Sequence, residues 1–499
     1  MYLFNYKYFS VFCDFVSHNL DRMLRIVWKS VKFELYYSIL FGNMYFMKNF
    51  IRLSGLVVFM AVMFCAEAFA LNGGWRGELA LGEMRIPLVF NFVENGAGET
   101  SCTMDSPSQG AKGIPVTVVL CMSDSISLEC NSIGARFNGN ISKETIEGKF
   151  VQHGFTFPMT LKPDAPLQER RPQTPQPPYP YIVKDTVFMA PDGVALSGTI
   201  SMPVLEKNQT VPAVVMVTGS GPQNRDEEML DHKPFAVIAD YLARNGVASL
   251  RYDDRGTGKS KGDFVKSTTY TFKDDAKSGI EFMRMVPGIG KTGVLGHSEG
   301  GTIAFMLGAE NVPDFIISLA GLAVPGKDGL VAQNARSLDK SGITGKDKEN
   351  SLALISCLFD EMAEQGKAGI STPIDLDSLA KAHGIVVPQE VLSTLKSTQK
   401  IRTSWFDILL GIDPEEDIAS IKCPLLAING DKDTQVEAEP NLAVIKSNCP
   451  KAEIRMMPSL NHLMQHAQTG DMAEYNEIRE TISPEVLEII LEFIKNQIK

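Results

Sequence analysis

The chain has 499 residues, of which 44% are hydrophobic and 21% are charged, and its formal net charge is −11. At about 100–200 residues per domain, this length corresponds to two or three domains with enough apolar residues to bury a core. The composition excludes a disordered or fibrous chain. The acidic balance, without a basic run or a basic-aromatic stripe, excludes a nucleic-acid-binding surface.

The N-terminal 46 residues differ from the rest of the chain. Residues 1–46 contain 14 of the 42 aromatic residues, and charged residues interrupt their apolar runs. The pattern changes at Met47, where a more usual leader begins. We therefore expect residues 1–46 to be an over-extended translation and Met47 to be the true start.

Residues 47–70 have the layout of a secretory signal peptide. Two basic residues follow Met47, residues 56–66 are eleven apolar residues in a row, and 68–70 read Ala-Phe-Ala. A positive segment, a short apolar segment and a small-residue cleavage site define such a signal. Eleven residues are too few to span the bilayer core of about 30 Å. The sequence therefore predicts export to the periplasm or the medium, without a stable membrane span; a lipoprotein anchor at Cys65 is the weaker alternative.

Residues 72–162 read as a small antiparallel β domain, either a sandwich or a barrel. Short runs with strand character are separated by Gly, Asn, Asp and Ser clusters, and the clearest runs are 88–93, 116–120 and 125–128. Cys121 and Cys130 flank a predicted hairpin, and the sequence leaves a disulfide between them open. Residues 163–180 contain seven prolines and predict a semi-rigid linker.

Residues 181–499 alternate between buried strands and amphipathic helices, which predicts a doubly wound parallel α/β sheet. The predicted strands are 211–218, 247–252, 293–295, 315–320, 425–428 and 452–457, and the predicted helices include 234–245, 270–285 and 302–307. Residues of about 326–420 break this alternation and look helical. We expect them to form a cap over the carboxyl edge of the sheet, where ligands bind in this class.

The segment from Gly296 to Gly300 reads Gly-His-Ser-Glu-Gly and predicts a nucleophile at Ser298. It follows an apolar strand and precedes a helix, which is the setting that a nucleophile elbow requires. A second Gly-x-Ser-x-Gly surrounds Ser260, but no strand adjoins it and no helix follows. We therefore expect Ser260 to lie in a glycine-shaped loop without a catalytic role.

A serine hydroxyl needs a base, and His462 is the best placed of the seven histidines. It follows the last predicted strand, so its loop can reach a serine at the carboxyl edge of the sheet. His297 adjoins Ser298 and is expected to point elsewhere, and His232 lies in an early loop. We expect His466 to lie on a solvated helix one turn after His462.

The base in turn needs an acid, and the predicted acid is Asp433, which follows the strand 425–428. Asp431 adjoins a glycine and is expected to cap a turn. The chain order of serine, acid and histidine is that of α/β-hydrolases. The predicted oxyanion hole consists of the backbone N–H groups of Glu299 and Ser220, with Gly221 as the alternative to Ser220.

Five segments together resemble a family of bacterial α/β-hydrolase carboxylesterases. They are Thr-Gly-Ser-Gly-Pro-Gln-Asn-Arg-Asp-Glu at 218–227, Arg-Tyr-Asp-Asp-Arg-Gly at 251–256, Gly-His-Ser-Glu-Gly-Gly at 296–301, Gly-Asp-Lys-Asp at 430–433 and Leu-Asn-His-Leu at 460–463. The resemblance implies an N-terminal lipocalin-like β domain, a helical cap within the hydrolase domain and activity on short-chain acyl esters.

The leading hypothesis is thus a secreted serine carboxylesterase that acts on a small-molecule ester through an acyl-enzyme on Ser298. It requires no organic cofactor and no metal, and the oligomeric state is left open. The first alternative is a serine aminopeptidase-type peptidase, in which carboxylates at 226–228 would hold the substrate amine unless they only form a solvated loop. The second is a non-catalytic binding protein on a hydrolase fold, which the complete set of predicted catalytic residues disfavours.

Overall fold

A computed structural model describes residues 71–81, 84–94, 100–107, 111–122, 124–142, 144–165 and 170–497. The predicted over-extended segment 1–46 and the predicted signal peptide 47–70 lie outside these ranges. Two arrangements of strands make up the described part of the chain, a closed barrel and a larger open sheet.

The N-terminal domain is a closed barrel in which each strand pairs with the next and the last pairs with the first. Alternating residues such as Phe90, Phe92, Phe137 and Phe150 are buried in its interior, as expected from the two-residue period of a strand. Of the two predicted architectures, sandwich and barrel, the barrel is therefore the one formed. Its strands are β1 (Gly73–Leu81), β2 (Met84–Glu94), β3 (Thr100–Ser106), β4 (Ala111–Cys121), β5 (Ser125–Cys130), β6 (Ala135–Ile141), β7 (Ile146–Gln152) and β8 (Phe155–Pro163).

The hairpin formed by β4 and β5 separates the two cysteines that flank its turn. Cys121 lies opposite Ile126, next to the turn, whereas Thr117 lies opposite Glu129 at the far end. Cys130 follows Glu129, and its thiol donates to a backbone carbonyl on β4. This register places the two cysteines at opposite ends of the hairpin and does not favour a disulfide between them.

The second domain contains an eight-stranded sheet of the α/β-hydrolase class, in the order β16-β15-β14-β13-β11-β12-β10-β9. The strands from β11 to β16 run parallel, and the hairpin β9–β10 adds an antiparallel edge. The sequence analysis does not assign this hairpin, but it places the parallel strands correctly. The strands are β9 (Ile182–Met189), β10 (Ala195–Met202), β11 (Val211–Val217), β12 (Ala248–Tyr252), β13 (Ile289–His297), β14 (Ile316–Leu319), β15 (Leu425–Gly430) and β16 (Glu453–Met457).

Helices cover both faces of this sheet, because the parallel strands are apolar on both sides. On one face, α1 (Pro234–Arg244) and α11 (Pro484–Gln497) pack against residues such as Val214 and Leu295. On the other face, Val215 and Val294 pack against four further helices. They are α2 (Thr269–Arg284), α3 (Glu299–Ala309), α9 (Glu415–Ser420) and α10 (Ala438–Asn448).

The segment between β14 and β15 contains the predicted cap. Its helices are α4 (Gly326–Lys340), α5 (Gly345–Lys367), α6 (Leu376–Ala382), α7 (Gln389–Thr398) and α8 (Ser404–Leu410), followed by α9. They have an apolar core of their own that includes Leu354, Leu358 and Leu395. None of the helices in the described ranges has an apolar stretch of the length that a bilayer crossing requires.

Candidate active site

Ser298 occupies the sharp turn between β13 and α3. Its backbone lies at φ 54° and ψ −120°, a left-handed conformation that residues with a side chain rarely adopt. A Cβ atom at Gly296 would overlap the carbonyl oxygen of Gly300, and one at Gly300 would overlap the carbonyl oxygen of Val217. The two glycines therefore let helix and strand approach closely, and the turn presents Ser298 at the carboxyl edge of the sheet.

His462 and Asp433 form a buried pair at the same edge. The Nδ1 atom of His462 donates to Oδ2 of Asp433 at 2.7 Å. The other carboxylate oxygen accepts from the backbone N–H groups of Gln435 and Val436, each at 2.8 Å. Because Nδ1 carries the proton, Nε2 of His462 is the nitrogen able to accept one from a hydroxyl.

The loop after β11 passes directly over the elbow. An added Cβ at Gly219 would lie 3.1 Å from Cβ of Ser298. Ser220 follows and is exposed, and its hydroxyl donates to the carboxylate of Glu299. Glu299 begins α3, and the first N–H groups of a helix have no partner within the helix. The two predicted oxyanion donors, the N–H groups of Ser220 and Glu299, thus belong to segments that meet at Ser298.

Two aspartates that follow β12 hold the loop after β11 in place. Asp254 accepts hydrogen bonds from the hydroxyl of Thr218 at 2.8 Å and from the backbone N–H of Gln223 at 2.9 Å. Its burial raises its pKa well above the ordinary value. Asp253 forms an ion pair with Arg225 at 2.7 Å. The loop after β11, residues 218–225, is therefore tied at both ends to the two residues that follow β12, and we call it the oxyanion loop.

The Glu299 side chain joins the elbow to the cap. Its carboxylate accepts from Nε1 of Trp405 on α8 at 2.9 and 3.1 Å, and from the hydroxyl of Thr269 on α2 at 2.6 Å. Burial raises the pKa of Glu299, and the hydrogen bonds from Thr269, Trp405 and Ser220 offset part of that rise. The cap thus reaches the residue next to Ser298 through a hydrogen bond.

His297 and Glu227 form a second buried pair behind Ser298. Oε1 of Glu227 accepts from the backbone N–H of Gly219 at 2.7 Å and from Nδ1 of His297 at 2.9 Å. Nε2 of His297 lies 2.9 Å from the carbonyl oxygen of His462, and the centroids of the two imidazole rings are 4.7 Å apart. A carboxylate and a carbonyl only accept hydrogen bonds, so His297 carries a proton on both nitrogens.

The pKa of His297 agrees with this doubly protonated state. Burial alone would lower the pKa, but the charge of Glu227, its hydrogen bond and the carbonyl of His462 together raise it above the ordinary value. His297 and Glu227 therefore form a buried ion pair that connects the oxyanion loop to the backbone of His462.

The other histidines that the sequence analysis weighs lie in different settings. His232 is fully buried, binds the hydroxyl of Thr481 and the carbonyl of Tyr475, and burial lowers its pKa to about 4. His466 is exposed and binds Glu480, but it lies in a β-bridge with Leu460 and not on the predicted helix.

Asp431 and Ser260 also lie apart from the Asp433–His462 pair. The Asp431 carboxylate accepts from the backbone N–H of Ser459 at 2.6 Å, which agrees with the expected turn cap. Ser260 is buried, donates to the carbonyl of Asp253 at 2.6 Å and accepts from the N–H of Ser197 at 2.9 Å. Both side chains therefore serve local backbone groups.

The sequence pattern predicts no site role for His297 or Asp254 and no hydrogen bond from Trp405. It offers Glu227 only as a carboxylate for a substrate amine. Three of these four residues lie within the quoted motif segments, and a charged or imidazole group flanking a catalytic turn is the available signal. Asp226, Glu227 and Glu228 were expected to form either an amine-binding site or a solvated loop. Glu227 is instead buried with its partners inside the protein.

Comparisons with known proteins place the chain among serine hydrolases. A family model described as X-Pro dipeptidyl-peptidase (S15 family) matches residues 192–447, just over half of the chain. Esterase EstD of Thermotoga maritima is 26% identical over 277 residues, which cover 54% of this chain and 58% of EstD. The chain therefore spans less than two thirds of that relative.

Solved structures of esterases also align with the chain. The Pyrococcus furiosus esterase PF2001 aligns with 64% of this chain and 92% of its own, at 18% identity and a TM-score of 0.39. Est1E from Butyrivibrio proteoclasticus, solved with ferulic acid bound, aligns with 63% of this chain and 99% of its own, at 18% identity and a TM-score of 0.39.

Within the described part of the chain, no group of three or more His, Cys, Asp or Glu could hold a metal ion.

Proposed function

The chain belongs to the X-Pro dipeptidyl-peptidase (S15) family and is a serine hydrolase of the α/β-hydrolase type, and we propose that it is a carboxylesterase for short-chain acyl esters. In this proposal Ser298 is the nucleophile, His462 the general base and Asp433 the acid that orients it. The N–H groups of Ser220 and Glu299 form the oxyanion hole.

The proposed reaction has two halves that meet at an acyl-enzyme. Nε2 of His462 takes the proton of the Ser298 hydroxyl as its oxygen attacks the ester carbonyl, and the two N–H groups stabilise the resulting oxyanion. The C–O bond to the alcohol breaks, and His462 returns the proton to the departing oxygen. Water then attacks the acyl-enzyme by the same route and releases the carboxylic acid and the free serine.

The observation that carries this proposal is the Asp433–His462 pair beside a strained serine. The 2.7 Å bond fixes the tautomer of His462, and Ser298 at φ 54° has the backbone of a nucleophile elbow. The ring centroid of His462 lies 4.7 Å from the ring centroid of His297, which is the residue directly before Ser298. Base and nucleophile therefore belong to adjoining segments.

The state of three carboxylates favours an ester over a peptide with a free amine. Glu227 is bound to Gly219 and His297. Asp226 pairs with Arg251 and Glu228 pairs with Lys112. An exopeptidase of the aminopeptidase type must neutralise the substrate amine near the nucleophile, and these groups already have partners. A simple ester carries no free amine and so has no such requirement. Its alcohol also leaves more readily than an amine, which depends more strongly on a general acid.

A cavity of about 320 Å³ lies next to the loop that holds Asp433. It is lined by Gln435 and Val436, whose N–H groups bind Asp433, and by Leu322, Val324 and Ala332 from β14 onward into the cap. This volume is at the lower end of the range for ligand sites, about 300–1,000 Å³. Its lining also includes the charged side chains of Asp328, Arg336, Glu415 and Glu437, but not Ser298 or His462, so this cavity does not identify the acyl-binding site.

A peptidase is the second candidate, because the matching family is described by its X-Pro dipeptidyl-peptidase activity. One carboxylate could serve that activity. Glu299 directly follows Ser298, and its buried carboxylate is bound by neutral donors from Thr269, Trp405 and Ser220. A protonated substrate amine could take the place of one of these donors.

Parallel assays of esters and anilides decide between the two activities. We expect p-nitrophenyl butyrate to be hydrolysed at least about tenfold faster in kcat/KM than aminoacyl-anilides or X-Pro anilides, a margin of about 1.4 kcal/mol. Ser298→Ala is the control, since it removes either activity if both use the same nucleophile. Anilide hydrolysis equal to or faster than ester hydrolysis would establish the peptidase instead.

We also propose that residues 47–70 direct export, with a mature N-terminus near Leu71. Mass analysis of the exported protein tests this proposal, and an N-terminus before residue 60 would contradict it.

We further propose that the β domain is lipocalin-like, and its closed barrel of eight up-and-down strands supports that proposal. Its interior is filled by side chains such as Phe90 and Phe137, which supports a structural role.

A further inference from the structure

The segment from Glu227 to Asp231, which follows the oxyanion loop, has an unusual backbone. Glu227 lies at φ 51°, Leu230 at φ 51° and Asp231 at φ 64°. Residues with a side chain rarely adopt this left-handed region, and several of them together persist only where surrounding contacts hold them. The contacts around this segment therefore determine its shape.

On its inner side, the segment supports the candidate active site through Glu227. The carboxylate binds the N–H of Gly219 in the oxyanion loop and the imidazole of His297. His297 in turn binds the carbonyl of His462. A shift of the Glu227 backbone would therefore disturb two loops together, the oxyanion loop and the loop that carries His462, which we call the histidine loop.

On its outer side, the segment is held by the barrel. Lys112 on β4 forms an ion pair with Glu228 at 2.6 Å. Arg76 on β1 forms one with Asp231 at 2.9 Å. Two strands of the barrel thus contact two of the four residues that directly follow Glu227, the first and the last.

The contact at Asp231 is part of a closed ring of charges. Asp231 also binds Arg170 at 2.7 Å, and Asp164, which directly follows β8, binds Arg76 at 2.8 Å and Arg170 at 3.1 Å. The four side chains are between 11% and 19% exposed, so solvent screens their attraction less than at an open surface. The planar guanidinium groups of Arg76 and Arg170 also fix the orientation of the two carboxylates, because each guanidinium binds both of them at once.

We propose that the barrel is a positioning element of the candidate active site: through Arg76 and Lys112 it holds the segment Glu227–Asp231, from which Glu227 fixes the oxyanion loop and the histidine loop. This inference rests on the proposed roles of Ser298 and His462. It assigns a catalytic use to a domain that contributes none of the proposed catalytic side chains. The oxyanion donors act mainly on the transition state, so their misplacement lowers kcat more than it raises KM.

Two variants of the full chain compare the ion pairs of Asp231 with those of an aspartate elsewhere. Asp231→Asn keeps the size of the side chain and removes the charge that Arg76 and Arg170 bind. Asp240→Asn is the matched control, because Asp240 on α1 pairs with Arg244 at 2.9 Å and accepts from the hydroxyl of Tyr181 at 2.8 Å, and neither partner belongs to the segment or to the barrel. Lys112→Met tests the second barrel contact and leaves the charged ring intact.

Hydrogen exchange gives a readout that does not depend on activity. We expect Asp231→Asn to speed exchange in peptides that cover Gly219 to Glu228 by about tenfold, because local opening of this loop becomes easier. Lys112→Met has a smaller effect in the same peptides, and Asp240→Asn leaves them unchanged. Equal protection in Asp231→Asn and the wild type would overturn the proposal, whether or not the protein hydrolyses esters.

Ester kinetics then test the catalytic consequence. We expect Asp231→Asn to lower kcat about tenfold with KM within twofold, since an oxyanion donor is misplaced. Asp240→Asn should retain the wild-type kcat. Faster exchange with an unchanged kcat would show a purely structural contact and overturn the positioning role. A wild-type protein without esterase activity would contradict the proposed function alone, because the exchange experiment still decides whether the barrel holds the segment.

Discussion

Two segments of this chain have the same Gly-x-Ser-x-Gly spacing, Gly258–Gly262 and Gly296–Gly300, and their serines have different partners. The hydroxyl of Ser260 is buried between two backbone groups, those of Asp253 and Ser197. Ser298 is only partly buried and lies at φ 54° where β13 meets α3. The five-residue pattern therefore has no chemical meaning by itself, and the strand before it and the helix after it decide which serine is presented.

The largest difference between the two serines should be seen in turnover. Ser298→Ala is expected to lower kcat at least about 10⁴-fold, because acyl transfer loses its nucleophile while the fold is kept. Ester hydrolysis together with thermal melting checks both points. Activity retained within tenfold would assign the nucleophile to another residue.

The same comparison extends to the two aspartates that follow β15. Asp433→Asn is expected to lower kcat about 10³-fold, because an amide can no longer hold His462 in the required tautomer. Asp431→Asn, its neighbour at the exposed turn, should change kcat less than about twofold, since its partner is a backbone N–H. Similar losses in the two variants would contradict the assignment of the acid.

The last glycine of each motif offers a third contrast. A Cβ at Gly300 would overlap a backbone oxygen of β11, whereas one at Gly262 lies 3.1 Å from a side-chain atom of Val194. Gly300→Ala should therefore lower kcat by about 10- to 100-fold through a shifted elbow. Gly262→Ala, at φ 102°, is expected to cost about 1–2 kcal/mol of unfolding free energy with little change in kcat. Steady-state kinetics and denaturant unfolding measure the two effects.

The smallest effect on turnover is expected at the other serine. Ser260→Ala should leave kcat within about twofold, but it leaves the N–H of Ser197 without its partner and costs about 1–3 kcal/mol of unfolding free energy. Denaturant midpoints at constant m-value measure that loss. A large loss of kcat without a loss of stability would reverse the roles assigned to the two motifs.

Much of the fold could be predicted because its elements are local in sequence. The apolar runs that become β11, β13 and β15 and the spacing of α1 and α2 are readable from hydrophobic periodicity. The hairpin β9–β10 is not predicted because β9 exposes apolar residues such as Val187 and Met189 among polar ones, and because the buried strand β10 is rich in Ser, Thr and Gly. Because β9 lies at the edge of the sheet, it lacks the clear alternation of apolar and polar residues that identifies a strand.

The site divides in the same way. Ser298, Asp433 and His462 could be proposed from the sequence because each follows the carboxyl end of a strand, and such ends meet at one edge of a parallel sheet. Glu227 could not be assigned in this way. Its choice between solvent, substrate and His297 depends on a contact with a residue 70 positions away.

The sequence by itself determined the order of the parallel strands along the chain and the three residues proposed for catalysis, because these follow from periodicity, turn chemistry and the position of strand ends. Only the tertiary structure decided that His297 and Glu227 form a buried ion pair and that Arg76 and Lys112 of the barrel hold the segment beside it. The physical reason is that a charged side chain takes its pKa and its partner from burial and from neighbours brought close by folding, and neither is written in the residues next to it.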